Sequence, residues 1–128
     1  FETLRGIGLS NAKANYVLNV CNFFIDEKIT DARFHKMSNE EVIKYLTQIK
    51  GVGQWTVEMI LMFTLGREDV FAIDDLGIQQ AMCKLYSIDE SDKKTMKEKM
   101  ILISKKWSPY RTYACGYLWG WKDNQPKT

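Results

Sequence analysis

Apolar residues recur along this chain at the three- and four-residue spacing of a helix face, and no stretch shows the alternation of a half-buried strand. The pattern therefore predicts an all-α protein with about six helices in view. Ser10 and Ser38 stand where the first two of these helices would begin, and Glu41 completes a capping box with Ser38. The polar stretch 25–35 is predicted to be an irregular connection between those two helices.

Two of the predicted helices have distinctive patterns. Residues 54–65 are apolar on almost every side, which predicts a fully buried helix that ends at Gly66. The last helix, 110–121, is predicted to bury one stripe of residues, namely Tyr110, Tyr113, Ala114, Tyr117, Leu118 and Trp121. On that assignment Trp119 points to the opposite side of the helix, where it is exposed, packs on another helix or lines a cleft.

Composition narrows the functional classes. The 128 residues fit one small domain, and no apolar run approaches the ~20 residues of a membrane span, so we expect no membrane partner. A net charge of +2 is too small to indicate nucleic acid by itself. Three widely spaced cysteines and a single histidine, His35, argue against a disulfide framework, an iron–sulfur cluster and a histidine-rich zinc site.

A Gly51-Val52-Gly53 sequence falls between two predicted helices. It is no dinucleotide fingerprint, because that motif needs a preceding strand and a third glycine, and Thr56 occupies the third position. Two glycines let the backbone turn tightly and approach a ligand, and the free amides of the next helix attract phosphate. These residues leave two possibilities open, a plain turn or a site for the DNA backbone. Gly6-Ile7-Gly8 is a weaker echo of the same sequence.

Asp74 and Asp75 stand just before a predicted helix. Carboxylates at such a position cap the helix and complement its dipole, an effect of ~1 kcal/mol. Alternatively, an ionised aspartate at the mouth of a cleft stabilises a developing cation or activates water. The sequence leaves both interpretations open, as it does for Trp119, where packing and the stacking of a flipped base are the alternatives.

Together these residues resemble the helix-hairpin-helix (HhH-GPD) DNA glycosylase superfamily, and within it the 3-methyladenine DNA glycosylase II branch. The resemblance rests on the hairpin 49–56, the sequence 70–77 that follows one helix later, and the sequence 107–119. It covers residues 3–121 and implies a helical fold with a cleft between two helical subdomains. Residues 1–121 are expected to be the C-terminal portion of the catalytic domain, without its N-terminal part, and 122–128 a polar tail.

The resemblance also implies the site residues. It places the catalytic carboxylate at Asp75 and lines the base pocket with Trp55, Met59 and Trp119. It implies DNA phosphate contacts from the hairpin, with Lys50 adding charge, by residues Lys50, Gly51, Val52, Gly53, Gln54 and Thr56. No cofactor is expected to be required, although relatives hold a monovalent cation on hairpin carbonyls, which places Na⁺ or K⁺ near Ile49 and Val52.

One departure from other branches bears on mechanism. Bifunctional members such as endonuclease III have a catalytic lysine at the position of Trp55, and without that amine no Schiff base forms. The expected activity is therefore monofunctional hydrolysis of the N-glycosidic bond of alkylated bases such as 3-methyladenine, flipped from duplex DNA during base excision repair.

The implied partner is duplex DNA containing a damaged base, and the protein is expected to act as a monomer. The expected location is the cytoplasm, with the nucleoid, in a bacterium, or the nucleus in a eukaryote. The alternative function is a non-catalytic helix-hairpin-helix module that binds DNA through both glycine-containing turns, for which Asp75 would be dispensable. A helical protein-interaction domain is a third, weaker alternative.

Overall fold

The computed structural model describes residues 1–126, and that range contains eight α-helices and no β-strand. The helices are α1 (Glu2–Gly6), α2 (Asn11–Asp26), α3 (Asp31–His35), α4 (Asn39–Leu46), α5 (Gln54–Met59), α6 (Leu76–Tyr86), α7 (Lys93–Ser104) and α8 (Arg111–Asp123). A π-helical segment, Ile60–Thr64, continues α5, and a 3-10 turn, Lys105–Trp107, follows α7. The predicted all-α fold is confirmed. Within 1–126 none of the helices has the length and hydrophobicity that crossing a membrane requires.

The chain divides into two compact units between Val57 and Glu58, inside α5. In the N-terminal unit, two predicted caps are present. Ser10 Oγ accepts from the amide three residues on at 3.2 Å, and Ser38 and Glu41 form the full capping box. The unit buries Ala14 on α2, Phe34 on α3, Val42 and Leu46 on α4, and Ile49, Val52 and Val57. The assignment of residues 1–121 to a single catalytic domain stays a prediction.

The C-terminal unit is built on α6, α7 and α8, and α6 packs mainly against α8. Asp92 caps α7 by accepting from the amides of Lys94 and Thr95. The buried apolar residues of this unit include Leu61, Met62, Val70, Ala72, Ile78, Ala81, Met82, Met96, Met100, Cys115 and Leu118. Full burial of a Leu, Ile or Met side chain contributes about 1.5–3 kcal/mol, so this core fixes α6 against α8.

Two short helices are absent from the sequence prediction of six. Helices α1 and α3 are only five residues long, and periodicity does not reveal elements of that length. The prediction of an irregular connection over 25–35 holds only for residues 27–30, because α2 continues to Asp26 and α3 occupies the second half and buries Phe34. The Phe34 ring lies 6.3 Å from the Phe24 ring, centroid to centroid, so tertiary packing stabilises this single turn.

The sequence predicts that the helix over residues 54–65 is buried on every side, but the structure exposes part of it. Val57, Leu61 and Met62 are buried, but Trp55 is 47% and Phe63 70% exposed. The helix also changes its hydrogen bonding at Ile60, where five residues adopt the π-helical pattern. This largely apolar sequence therefore leaves two large aromatic rings substantially exposed to solvent.

The predicted buried stripe on the last helix is confirmed at Leu118 but wrong at its tyrosines. Tyr113 and Tyr117 are 53% and 81% exposed, whereas Cys115 and Leu118 are buried. The packed side runs through Cys115 and Leu118 instead, because tyrosine keeps its hydroxyl in water and cysteine packs as a small apolar residue. Helix α8 also continues to Asp123, two residues into the predicted polar tail. Residues 127 and 128 of that tail lie outside the described residues.

Candidate active site and hairpin

The hairpin of the N-terminal unit depends on one glycine and on two side chains of α2. Gly51 has φ +96°, and a Cβ on it would stand 3.1 Å from Tyr16 Cδ2. Asn19 Nδ2 donates a hydrogen bond of 3.1 Å to the carbonyl oxygen of Lys50. An open cleft of about 480 Å³ runs between α2 and Lys50–Gly51, lined by Ala12, Asn15, Tyr16, Asn19, Lys50 and Gly51. The turn is thus held from one side and open beside Lys50.

The two glycine-containing turns are not equivalent. In Gly51-Val52-Gly53 the positive φ falls on the first glycine, whereas in Gly6-Ile7-Gly8 it falls on the second, Gly8, at +102°. The Gly6-Ile7-Gly8 turn also lies at the end of the five-residue α1, whereas the Gly51-Val52-Gly53 turn follows the eight-residue α4. The internal echo in the sequence therefore does not correspond to a repeated backbone structure.

Replacing Gly51 by alanine is expected to lower the free energy of unfolding by about 2–3 kcal/mol. Left-handed backbone costs a residue with a Cβ about 1–2 kcal/mol, and the Tyr16 ring must also move. The matched control is Gly53→Ala, where a Cβ meets nothing within 4 Å and the cost stays below about 1 kcal/mol. Urea denaturation of the two variants measures the difference. Equal losses would show that neither strain nor Tyr16 restricts position 51.

The Asp75 carboxylate stands at the start of α6, where one oxygen accepts two hydrogen bonds. Oδ2 accepts from the amide of Ile78 at 3.0 Å, which is the capping role that the sequence left open. The same oxygen accepts from the indole Nε1 of Trp119 at 2.9 Å. A helix cap has no need of a tryptophan 44 residues away. Besides capping α6, the carboxylate therefore makes a tertiary hydrogen bond to α8.

Gly77 leaves the space that this contact occupies. A Cβ at position 77 would stand 3.1 Å from Asp75 Oδ2 and 3.3 Å from Trp119 Cδ1. The backbone at Gly77 has no positive φ, so the requirement for glycine is one of space rather than of conformation. The first turn of α6 thus brings the carboxylate and the indole together.

Trp119 has an aromatic neighbour that the sequence analysis did not identify. The Phe63 ring is stacked with the Trp119 ring at 6.1 Å between centroids and 30° between planes. Phe63 lies in the π-helical segment, four residues after Met59, which is partly buried. Trp55, the third predicted pocket residue, lies in the N-terminal unit and is half-exposed. The structure therefore brings Trp119 and Asp75 together, and the pocket roles of Met59 and Trp55 stay predictions.

Asp74 differs from Asp75 in its surroundings. Its Oδ1 accepts from Lys97 Nζ of α7 at 2.8 Å, and both side chains are partly exposed. A pair of that kind contributes little to stability, typically below about 1 kcal/mol. Asp74 therefore forms an ion pair with Lys97, whereas Asp75 accepts from the Trp119 indole. Within 1–126 no group of three or more histidine, cysteine, aspartate or glutamate side chains is arranged to hold a metal ion.

A network of four side chains joins residues 108–112, at the start of α8, to segment 67–70. Asp69 accepts from Arg111 Nε at 2.7 Å, from Arg111 Nη2 at 3.1 Å and from the Ser108 hydroxyl at 2.7 Å. The Thr112 hydroxyl donates to the Arg67 carbonyl at 2.7 Å and accepts from the Val70 amide at 2.9 Å. We call Asp69, Ser108, Arg111 and Thr112 the α8 latch. No local sequence signal predicts it, because Asp69 and Arg111 are 42 residues apart.

The latch makes the free energy of unfolding depend on pH in the acidic range. Hydrogen bonds from the Arg111 guanidinium hold the pKa of Asp69 at about 2, below its ordinary 3.8. Its stabilisation is complete above 3.8 and is lost as the pH falls through about 2, because the unfolded chain takes up the proton first. The loss is at most about 2 kcal/mol.

We therefore expect the difference in unfolding free energy between the wild type and Asp69→Asn to shrink as the pH falls over this window. Denaturation at a series of pH values measures it. A difference that stays constant down to the lowest pH would contradict the depressed pKa.

The sequence model of one family, described as HhH-GPD superfamily base excision DNA repair protein, matches residues 1–109. The chain belongs to this superfamily. Among solved structures, the chain is similar to DNA-3-methyladenine glycosidase from Bacillus halodurans, with TM-score 0.81 and 39% identity, covering 96% of this chain and 55% of that one. It is also similar to Schizosaccharomyces pombe 3-methyladenine DNA glycosylase in complex with abasic DNA, with TM-score 0.83 and 36% identity, covering 100% and 61%.

Curated HhH-GPD relatives give the same family context. DNA-3-methyladenine glycosylase 1 of Schizosaccharomyces pombe is 39% identical over 120 residues, which cover 93% of this chain and 51% of the relative. A putative DNA-3-methyladenine glycosylase of Bacillus subtilis is 34% identical over 119 residues, covering 93% and 40%. The chain thus spans about half the length of these relatives. The family expected from the hairpin, Asp75 and 107–119 is confirmed.

Proposed function

We propose that this chain performs the chemistry of a monofunctional DNA glycosylase, which hydrolyses the N-glycosidic bond of alkylated bases such as 3-methyladenine in duplex DNA. The observation that carries the proposal is the 2.9 Å hydrogen bond from the Trp119 indole to the Asp75 carboxylate. It puts an electron-rich ring and an oriented negative charge side by side. Relatives named DNA-3-methyladenine glycosylase support the choice of an alkylated base.

The two groups suit the two charges of the reaction. An alkylated purine is cationic and already a good leaving group, and an indole face attracts a cation by about 0.5–2 kcal/mol. Departure of the base leaves an oxocarbenium-like sugar, which the Asp75 carboxylate stabilises, and the same carboxylate orients or deprotonates the attacking water. Trp119 fixes the carboxylate by its N–H, and so the charge is in place before the bond breaks.

The side chain at position 55 supports a hydrolytic rather than a lyase reaction. Trp55 has no amine, and a Schiff base with the sugar needs one. The product is then an abasic site in an intact strand. The Phe63 ring, stacked with Trp119, widens the aromatic surface on which a flipped base rests.

The hairpin is proposed to hold the DNA backbone. The turn at Gly51 is open beside Lys50, and the residues expected to contact phosphate are those from Lys50 to Gln54 together with Thr56. Backbone contacts of this kind fix the protein on duplex DNA but do not read its bases. A Na⁺ or K⁺ ion on the carbonyls of Ile49 and Val52 stays part of the proposal, and the Ile49 carbonyl already accepts from the Val52 amide at 3.0 Å.

The test is release of free base from methylated duplex DNA, followed by a search for broken strands before and after alkali. We expect release of 3-methyladenine and strand breaks only after alkali. Strand breaks without alkali would contradict the monofunctional mechanism. Salt-sensitive DNA binding with no base release would instead favour the alternative function, a non-catalytic DNA-binding module.

A further inference from the structure

We propose that the α8 latch positions the Trp119 indole on the Asp75 carboxylate, so that Asp69 and Arg111 set the rate of the chemical step without touching the base. This inference rests on the proposed function for its effect on rate. Its effect on the Trp119–Asp75 hydrogen bond can be measured without any substrate. The four latch residues are therefore positioning residues, not catalytic ones.

Two separate pieces of chain carry the Asp75 carboxylate and the Trp119 indole. Asp75 follows Asp69 by six residues along one short non-helical segment, which turns at residues 73–74, and Trp119 follows Arg111 by eight residues along one helix. The latch joins the beginnings of these two pieces, and the Trp119–Asp75 hydrogen bond joins their far ends. Eight helical residues span about 12 Å, so a small tilt of α8 at the latch is enlarged at Trp119.

Contacts between the two ends keep the two pieces in one register. The Cys115 thiol donates to the Val70 carbonyl at 3.8 Å, and both residues are buried, as is Ala72. Burial raises the pKa of Cys115 to about 11, so the thiol stays neutral and serves as a donor. A slip of α8 by one helical turn, about 5.4 Å, would break this contact, the latch and the Trp119–Asp75 bond together.

The latch also replaces a cap that α8 lacks. Tyr110, at the N-cap position of α8, makes no capping hydrogen bond with its side chain. Asp69 Oδ1 instead accepts from the Arg111 amide at 3.2 Å, and the Thr112 amide donates to the Glu68 carbonyl at 2.9 Å. The beginning of α8 is thus capped by the very segment that leads to Asp75. The same hydrogen bonds therefore fix the start of α8 relative to the segment that leads to Asp75.

The geometry of Arg111 makes it the sensitive member. Its guanidinium offers two nitrogens to the two oxygens of Asp69, an arrangement that lysine cannot reproduce. Both side chains are about one-quarter exposed, so the pair is partly shielded from water. Arg111→Lys therefore keeps the charge but loses the angular restraint, and it is the mild variant of choice.

The experiment compares Asp69→Asn, Arg111→Lys and Ser108→Ala with the control Glu68→Gln. Glu68 is a neighbouring exposed carboxylate that accepts from the Tyr113 hydroxyl of the same helix, outside the latch. The first readout is the indole N–H resonance of Trp119 in a ¹⁵N spectrum without DNA, assigned with Trp119→Phe. We expect latch variants to move this resonance toward the position of a free indole, and the control to leave it in place.

The second readout is the single-turnover rate of base release, measured where circular dichroism shows each variant folded. We expect a loss on the order of 10-fold to 10²-fold for the latch variants, with DNA affinity changed less than about 2-fold. Rate constants and Trp119 shifts should follow the same order, with Arg111→Lys intermediate. If Asp69→Asn does not fold, Arg111→Lys and Ser108→Ala decide the question.

The two proposals fail in distinguishable ways. If folded latch variants leave the Trp119 resonance and the rate unchanged, the latch is only a stabilising element and this inference is overturned. If the resonance moves but wild-type protein releases no base, the positioning effect stands and the proposed function falls. A purely structural role would lower the midpoint of unfolding but would not shift the Trp119 resonance in the folded protein.

Discussion

Asparagine in place of Asp75 is expected to lower the rate of base release by on the order of 10²–10³-fold while DNA affinity stays within about 2-fold. Asparagine is as good an N-cap as aspartate, and its carbonyl oxygen can accept from the Ile78 amide and from the Trp119 indole. The variant therefore removes the negative charge and leaves the fold intact. Single-turnover release of 3-methyladenine, with a binding curve on the same DNA, measures both quantities.

Two further variants separate the roles of this carboxylate. Asp75→Ala removes the cap as well as the charge and is expected to cost a further ~1 kcal/mol of stability. Asp74→Asn breaks the exposed pair with Lys97 and should leave the rate of release within a few-fold. If Asp75→Asn released base at the wild-type rate, Asp75 would be a helix cap alone, and the catalytic interpretation would be abandoned.

Removing the Trp119 side chain is expected to lower kcat/KM for base release by on the order of 10–10²-fold, because stacking on an aromatic side chain contributes about 1–3 kcal/mol per base. Trp119→Phe keeps a ring but has no donor for Asp75. We expect it to lose less, roughly 5-fold to 30-fold, which corresponds to about 1–2 kcal/mol for one hydrogen bond to a charged group. Kinetics with increasing DNA separate binding from the chemical step.

The control for these variants is Trp121→Phe, two residues further along α8. Trp121 lies beside Lys84, with the ammonium 5.9 Å from the ring centroid, and we expect no effect of this change on base release. Equal losses for positions 119 and 121 would indicate general damage to α8. An unchanged kcat/KM in Trp119→Ala would remove the indole from the proposed mechanism.

Much of the fold could be predicted because its signals are local. Ser38 and Glu41 predict the start of α4, because they form a capping box. Met96 and Met100, at helical spacing, predict the buried side of α7. Periodicity needs several turns to be visible. Helix α3, with one buried phenylalanine in five residues, therefore stayed hidden in the prediction.

The site was predictable in part for a different reason. The resemblance placed Asp75 and Trp119 in one family site, and the structure joins them by a hydrogen bond. Periodicity identified only part of the packed side of α8, because helical spacing placed the exposed Tyr113 and Tyr117 in the buried stripe with Leu118 and left out Cys115. The pairing of Asp69 with Arg111 could not be predicted, because the two residues are 42 positions apart and meet only through the tertiary fold.

Gly77 has a consequence for what this chain can become. Glycine inside a helix is unfavourable by about 1 kcal/mol relative to alanine, so Gly77→Ala would ordinarily be expected to stabilise the protein. A methyl group there would press on the Asp75 carboxylate and on the Trp119 ring, which already lie within 3.1 Å and 3.3 Å of that point. The first turn of α6 therefore forgoes stability so that an acid and an indole can meet. A stabilising substitution at position 77 would therefore disturb the contact between Asp75 and Trp119 on which the proposed chemistry depends.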